Sequence, residues 1–160
     1  MATQRTQADA CTLLDTDHKA VKKMFNAYEE LADSKARGTE EKKLELARQI
    51  CKELTVHAAI EEEIFYPALQ AALKDTGMLA EAEVEHAGAK DLIAQIEAMD
   101  HADEMFDAKV KVLGEYIDHH VKEERKEIFP KARAARQLDL VSMREDLQAR
   151  KDALMGVEMA

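Results

Sequence analysis

HAAIEEEIFYP, residues 57–67, reads as charged surface helix except at two positions, because His57 and Glu61 stand where the inward stripe calls for apolar residues. HVKEERKEIFP, residues 120–130, repeats the layout 63 positions later, with His120 leading, Glu124 at plus four and Pro130 at plus ten, matching Pro67. Residues four apart on a helix share a face one turn along, so each His–Glu pair addresses one point. A fold that buries both pairs must bring the two helices side by side.

Outward from these stretches the chain divides into helical segments. The first is predicted over residues 9–32, with Asp9 as N-cap and Leu14, His18, Val21, Phe25, Tyr28 and Ala32 at the spacing of a buried face. Gly38 and Thr39 mark a stop and a new cap, and the second helix is predicted over 40–66, where Pro67 should end or kink it before a short continuation to about residue 74. DTGM at 75–78 breaks the chain, and a third helix to about residue 99 carries Ala82, His86, Ala89, Ile93 and Ile96 in step. The fourth begins near Asp103 and carries Val110, Leu113, Ile117, His120, Glu124 and Ile128 up to Pro130. A fifth, over about 138–155, has Leu140, Met143, Leu147 and Leu154 but no histidine, and reads as a packing helix. Long amphipathic helices joined by short turns predict an all-α fold: one domain over 1–160, with an up-down-up-down antiparallel four-helix bundle over about 9–130 and an additional C-terminal helix.

Composition agrees with helix and narrows the function. Two prolines, five glycines and no tryptophan in 160 residues suit a helical protein with a sizeable core. A net charge of −10 with no basic face weighs against nucleic acid as a partner. The apolar runs are too short for a membrane span and MATQRTQADA has no hydrophobic signal region, so the expected compartment is the cytoplasm. Cys11 and Cys51 form no zinc-finger or Cys-x-x-Cys pattern and read as small buried or half-buried thiols. In antiparallel helices meeting at one level they would lie roughly 20 Å apart along the axis, far beyond disulfide reach.

Each of the four bundle helices places one histidine on its inward stripe, His18, His57, His86 and His120, and the second and fourth add Glu61 and Glu124. A lone core histidine is usually a satisfied structural residue. Two buried carboxylates beside four imidazoles, by contrast, call for a cation, since an unpartnered buried carboxylate costs several kcal/mol. Imidazoles mixed with carboxylates and no thiolate suit iron, with manganese or zinc as alternatives, and do not suit calcium. Two glutamates able to bridge and four nitrogens are enough for two metals. Helix phase turns His119 about 100° away from His120, so His119 and Glu123 read as surface, as do Glu62 and Glu63, and His101 falls at a helix junction. Glu85 could be a further ligand or a hydrogen-bond partner of a ligand histidine. Tyr116, one turn before His120, could aim its hydroxyl at the metal pocket or simply fill the bundle, whereas Tyr28 reads as core.

With these motifs in order, the chain resembles the hemerythrin-like, HHE cation-binding domains. LLDTDHKAVKKMF is similar to the family's first-helix Asp-His motif, HAAIEEEIFYPAL and HVKEERKEIFP to its two H-x-x-x-E motifs, and VEH to its third-helix histidine, over about residues 9–150. The resemblance implies a non-haem di-iron centre, two iron ions with an oxo or hydroxo bridge. It also implies activities ranging from reversible dioxygen binding and oxygen or iron sensing to nitric oxide handling and peroxide decomposition. The expected partner is a small diatomic or peroxide. Oxygen carriers have a fifth histidine four residues after the third-helix one, and here that place is Lys90, which argues against simple oxygen carriage.

Overall fold

The computed structural model describes residues 8–156. It is helical throughout, with no β-strand among the described residues. Helix α1 spans Ala10–Asp33, α2 Thr39–Ile60, α3 Tyr66–Ala72, α4 Gly77–Glu97, α5 Glu104–Glu123, α6 Phe129–Ala134 and α7 Leu140–Met155. Helix starts follow side-chain chemistry: Asp9, Asp103 and Asp139 each accept a hydrogen bond from the backbone N–H three residues on. Gly38 opens α2 from the left-handed region, φ 80°, which glycine adopts without the strain a Cβ would bring.

Helices α1, α2, α4 and α5 pack in a closed square, each against its two neighbours, and α7 lies across α1 and α2. This is the expected bundle with its additional helix. Among the described residues no helix is long and apolar enough to cross a membrane.

The short continuation expected after Pro67 is present, and a similar one runs on past Pro130, where the helix was expected to close. Neither ends its helix; each follows a π-helical turn, Glu61–Phe65 before α3 and Glu124–Ile128 before α6. Proline lacks an N–H and its ring presses on the carbonyl four residues back. Widening the preceding turn relieves that conflict: the Tyr66 and Phe129 N–H groups reach back five residues to the Glu61 and Glu124 carbonyls. The helix therefore continues, with its face rotated just beyond each glutamate.

The apolar core is split. One cluster, including Cys11, Leu14, Ile60, Phe65, Leu69, Phe129 and Leu147, fills one end, and a second, including Val21, Ile50, Cys51, Ile93, Phe106 and Leu113, fills the other. On every bundle helix the inward histidine lies in sequence between residues of the two clusters, and Glu61 and Glu124 follow four positions after theirs. Cys11 and Cys51 are free, buried and in different clusters, and burial pushes both thiols up to about 12.

Toward the far end, Tyr28 donates to Asp107 at 2.7 Å and the buried Lys43 ammonium reaches the same carboxylate at 3.0–3.1 Å, tying α1, α2 and α5 together. Asp107→Ala strands that ammonium and a phenol, and is expected to cost about 3 kcal/mol. That corresponds to roughly 10 °C in a melt of a protein this size. Thermal denaturation checks it, and a shift below about 1 °C would show the triad to be idle.

Candidate metal centre

All six inward residues converge. Glu61 and Glu124 are wholly buried, and His18, His57, His86 and His120 nearly so. Their donor atoms form two overlapping groups, one of His18, His57, Glu61 and Glu124 and one of Glu61, His86 and His120. Each glutamate spans the pairs. Glu61 sets Oε2 3.2 Å from His57 Nε2 and Oε1 3.0 Å from His86 Nε2. Glu124 sets Oε1 3.0 Å from His18 Nε2 and Oε2 3.6 Å from His120 Nε2.

The imidazoles are oriented from outside. Each Nδ1 faces a carboxylate: His18 that of Asp15 at 3.1 Å, His57 that of Asp17 at 3.1 Å, His86 that of Glu62 at 2.8 Å and His120 that of Glu85 at 2.6 Å. A proton held at Nδ1 leaves the Nε2 lone pair pointing inward, the arrangement of a metal-ligating histidine. Three of these carboxylates carry a further cation, Asp15 with Arg125, Asp17 with Lys151 and Glu62 with Lys90.

With each imidazole proton held at Nδ1, the inner donors cannot satisfy one another. His18 and His57 bring their Nε2 atoms to 3.2 Å, and His86 and His120 theirs to 3.3 Å. Glu61 Oε2 and Glu124 Oε1 are buried and accept no hydrogen bond, although an imidazole nitrogen lies close to each. Lone pairs aimed at lone pairs in a dry interior are costly without a positive centre between them. The donor set fits a cation pair.

Without metal, protons take that place. Burial favours a neutral His120, but Glu124, Glu61 and Glu85 override it and raise the imidazole to about 9. His57 is raised as well, burial being overcome chiefly by Glu61, and so is His86. A raised folded-state value contributes stability that is full below the unfolded value of about 6.5 and fades as pH climbs through the folded one. Metal-free protein is therefore expected to melt lower at pH 9 than at pH 6, with His120 alone contributing roughly 3 kcal/mol to the difference. A flat profile would mean the histidines are neutral in the empty bundle.

One flanking position stands differently from its sequence reading, and the others fall within theirs. Glu62, read as surface, is half-buried and accepts from His86, with Lys90 at 2.7 Å on its other oxygen. Lys90 thus serves the His86 partner in the place where a fifth histidine would stand. Glu85 gives its carboxylate to His120 Nδ1 rather than to the inner cluster. Tyr116 is half-buried, with its hydroxyl laid over Gly88 on α4 so closely that any Cβ there would collide with it. His119 is exposed, near Glu85 and Glu123. His101 is also exposed.

Tyr66 is the inward residue that sequence reading missed. Its hydroxyl donates to Glu124 Oε2 at 2.5 Å, lies 3.2 Å from Glu61 Oε1 and sits 3.4 Å from His120 Nε2. The π turn brings it over Glu61, where a regular helix would point it elsewhere. The signal was in the repeat: Tyr66 aligns with Phe129, which stacks on His18, so a phenol replaces an apolar ring beside the centre.

On the Val21 side of the histidines lies a cavity of about 40 Å³, whose walls include Val21, Leu54, Ala89, Ile93, Tyr116 and Ile117. That is room for a few atoms of small ligand.

Comparison with known proteins agrees with this geometry. The hemerythrin HHE cation binding domain model matches residues 9–132. A solved hemerythrin HHE cation binding domain-containing protein from Mycobacterium kansasii superposes with a TM-score of 0.74, covering 94% of this chain and 90% of its own, at 22% identity. A DNA nickase of a Nostoc species is 30% identical over 113 residues, 71% of this chain but only 30% of the nickase.

Proposed function

The chain belongs to the hemerythrin HHE cation-binding domain family, and from that premise we propose that it holds two iron ions between the two histidine pairs and redox-processes small oxygen or nitrogen species, peroxide most concretely. The observation that carries the reading is the pair of buried, unpartnered carboxylate oxygens, Glu61 Oε2 and Glu124 Oε1, facing inward nitrogen lone pairs. His18 and His57 would hold one ion, His86 and His120 the other, with both glutamates shared. When bound, such a pair supplies adjacent redox-active Lewis acids able to polarise an O–O or N–O bond.

The chain's own groups define the rest. Asp15, Asp17, Glu62 and Glu85 keep the histidines in the ligating tautomer. Tyr66 carries a proton at the inner face of the site, hydrogen-bonded to Glu124. The two apolar clusters exclude water from above and below, and the small cavity limits access to ligands of a few atoms. The net charge of −10 weighs against nucleic acid, so the nicking named for the Nostoc protein, of which this chain spans under a third, is not carried over.

Peroxide decomposition consumes two hydrogen peroxides for each dioxygen and two waters released. Iron-loaded protein is expected to evolve oxygen in that ratio over many turnovers per chain. Oxygen binding or a single stoichiometric oxidation without turnover would instead favour the alternative, a dioxygen-binding or sensing module, which the apolar cavity walls also suit.

A further inference from the structure

We infer that Lys151, on the C-terminal helix α7, is a positioning residue of the metal centre, acting through Asp17 on His57; the inference rests on the metal reading above. The family match ends at residue 132, before α7 begins. The helix nevertheless reaches the centre. Lys151 Nζ lies 2.6 Å from Asp17 Oδ1, and Asp17 Oδ2 accepts from His57 Nδ1 at 3.1 Å. Both charged groups are largely out of water, with side-chain exposures of 25% for Lys151 and 9% for Asp17.

A buried carboxylate whose sole partner is an imidazole pulls on the Nδ1 proton or turns towards water. The ammonium on its second oxygen holds it in place and offsets its charge. Arg150, the preceding residue, meets Glu63 at 2.8 Å, fastening α7 to the π turn that begins at Glu61. Apolar packing of Leu140, Met143 and Leu147 would seat α7 without either contact. The cation therefore does something packing does not: it places a fixed positive charge one carboxylate away from a ligand histidine.

Removing a positive charge near a redox centre favours its more positive state while Asp17 keeps its own charge. The test compares iron-loaded wild type with K151M, K151Q, K151R and R144M by spectroelectrochemical titration. K151Q keeps a polar head, so that a folding defect in K151M alone does not decide the result; R144M removes the same charge from the exposed face of the same helix. K151M and K151Q are expected to prefer ferric over ferrous iron about tenfold more strongly than wild type, a midpoint about 59 mV lower for a one-electron couple. K151R and R144M should titrate with wild type. Variants K151M and K151Q that also match wild type, or R144M shifting as far as they do, would overturn the inference. Wild-type protein that takes up no iron would overturn the metal reading itself, and this inference with it.

Discussion

Glu124→Ala is expected to lose both metals, not one. Glu124 is wholly buried and sends one oxygen to each histidine pair, so its removal takes a donor from His18's side and from His120's side together. Loss of a partner that merely orients a ligand costs 10–100-fold in metal affinity, and loss of a shared ligand should cost about 100-fold or more. Iron per chain after purification should fall from about two to near zero, with peroxide decomposition falling alongside. Glu124→Gln, which keeps the side-chain volume, separates ligation from packing: it should lose metal as Glu124→Ala does. The neighbouring Glu123→Ala, at a partly exposed position on the helix flank, should keep its metal. One ion retained in Glu124→Ala would restrict this carboxylate to a single site.

The second large effect is on stability. Stripping the ions leaves two carboxylates and four imidazoles buried in a layer built to surround positive charge. A ligand bound only by the folded state stabilises it by about 4 kcal/mol at a thousandfold excess over its dissociation constant, which in a chain of this size is roughly 10 °C or more for each ion. Chelated protein should therefore melt at least about 10 °C below the loaded form while keeping its helical far-ultraviolet signal, because the apolar clusters on either side of the layer do not depend on metal. Restoring iron should restore the melt. Equal melting temperatures would mean that the ions contribute nothing to the fold.

Much of this arrangement is legible in the sequence because one period governs it. A constant helical phase places His18, His57, His86 and His120 on inward stripes, tells His120 from His119, and sets Glu61 and Glu124 beneath their histidines. The reading fails where the period changes. The turns after Glu61 and Glu124 widen to five residues, so Tyr66 arrives at the centre although a constant phase turns it away. It falls short, too, where contacts run between helices. Glu62 meets His86 on α4 and Lys151 meets Asp17 across 134 positions of sequence, while Glu85, open to either role in the sequence, takes His120 on α5 as its partner. Such pairings depend on how helices are rotated and offset against each other, which a one-dimensional pattern does not encode. For the same reason α7 looked like a packing helix: its apolar stripe was visible, and its ionic contact with the site was not.

The central claim is that the buried layer holds two iron ions. Elemental analysis of freshly purified protein from iron-supplemented cells, read together with its visible absorption spectrum, tests it most directly. The account predicts about two iron atoms per chain and a ferric charge-transfer absorption that chelation under reducing conditions removes. Protein that folds and melts cooperatively with no iron, or with zinc alone and a featureless visible spectrum, would contradict it.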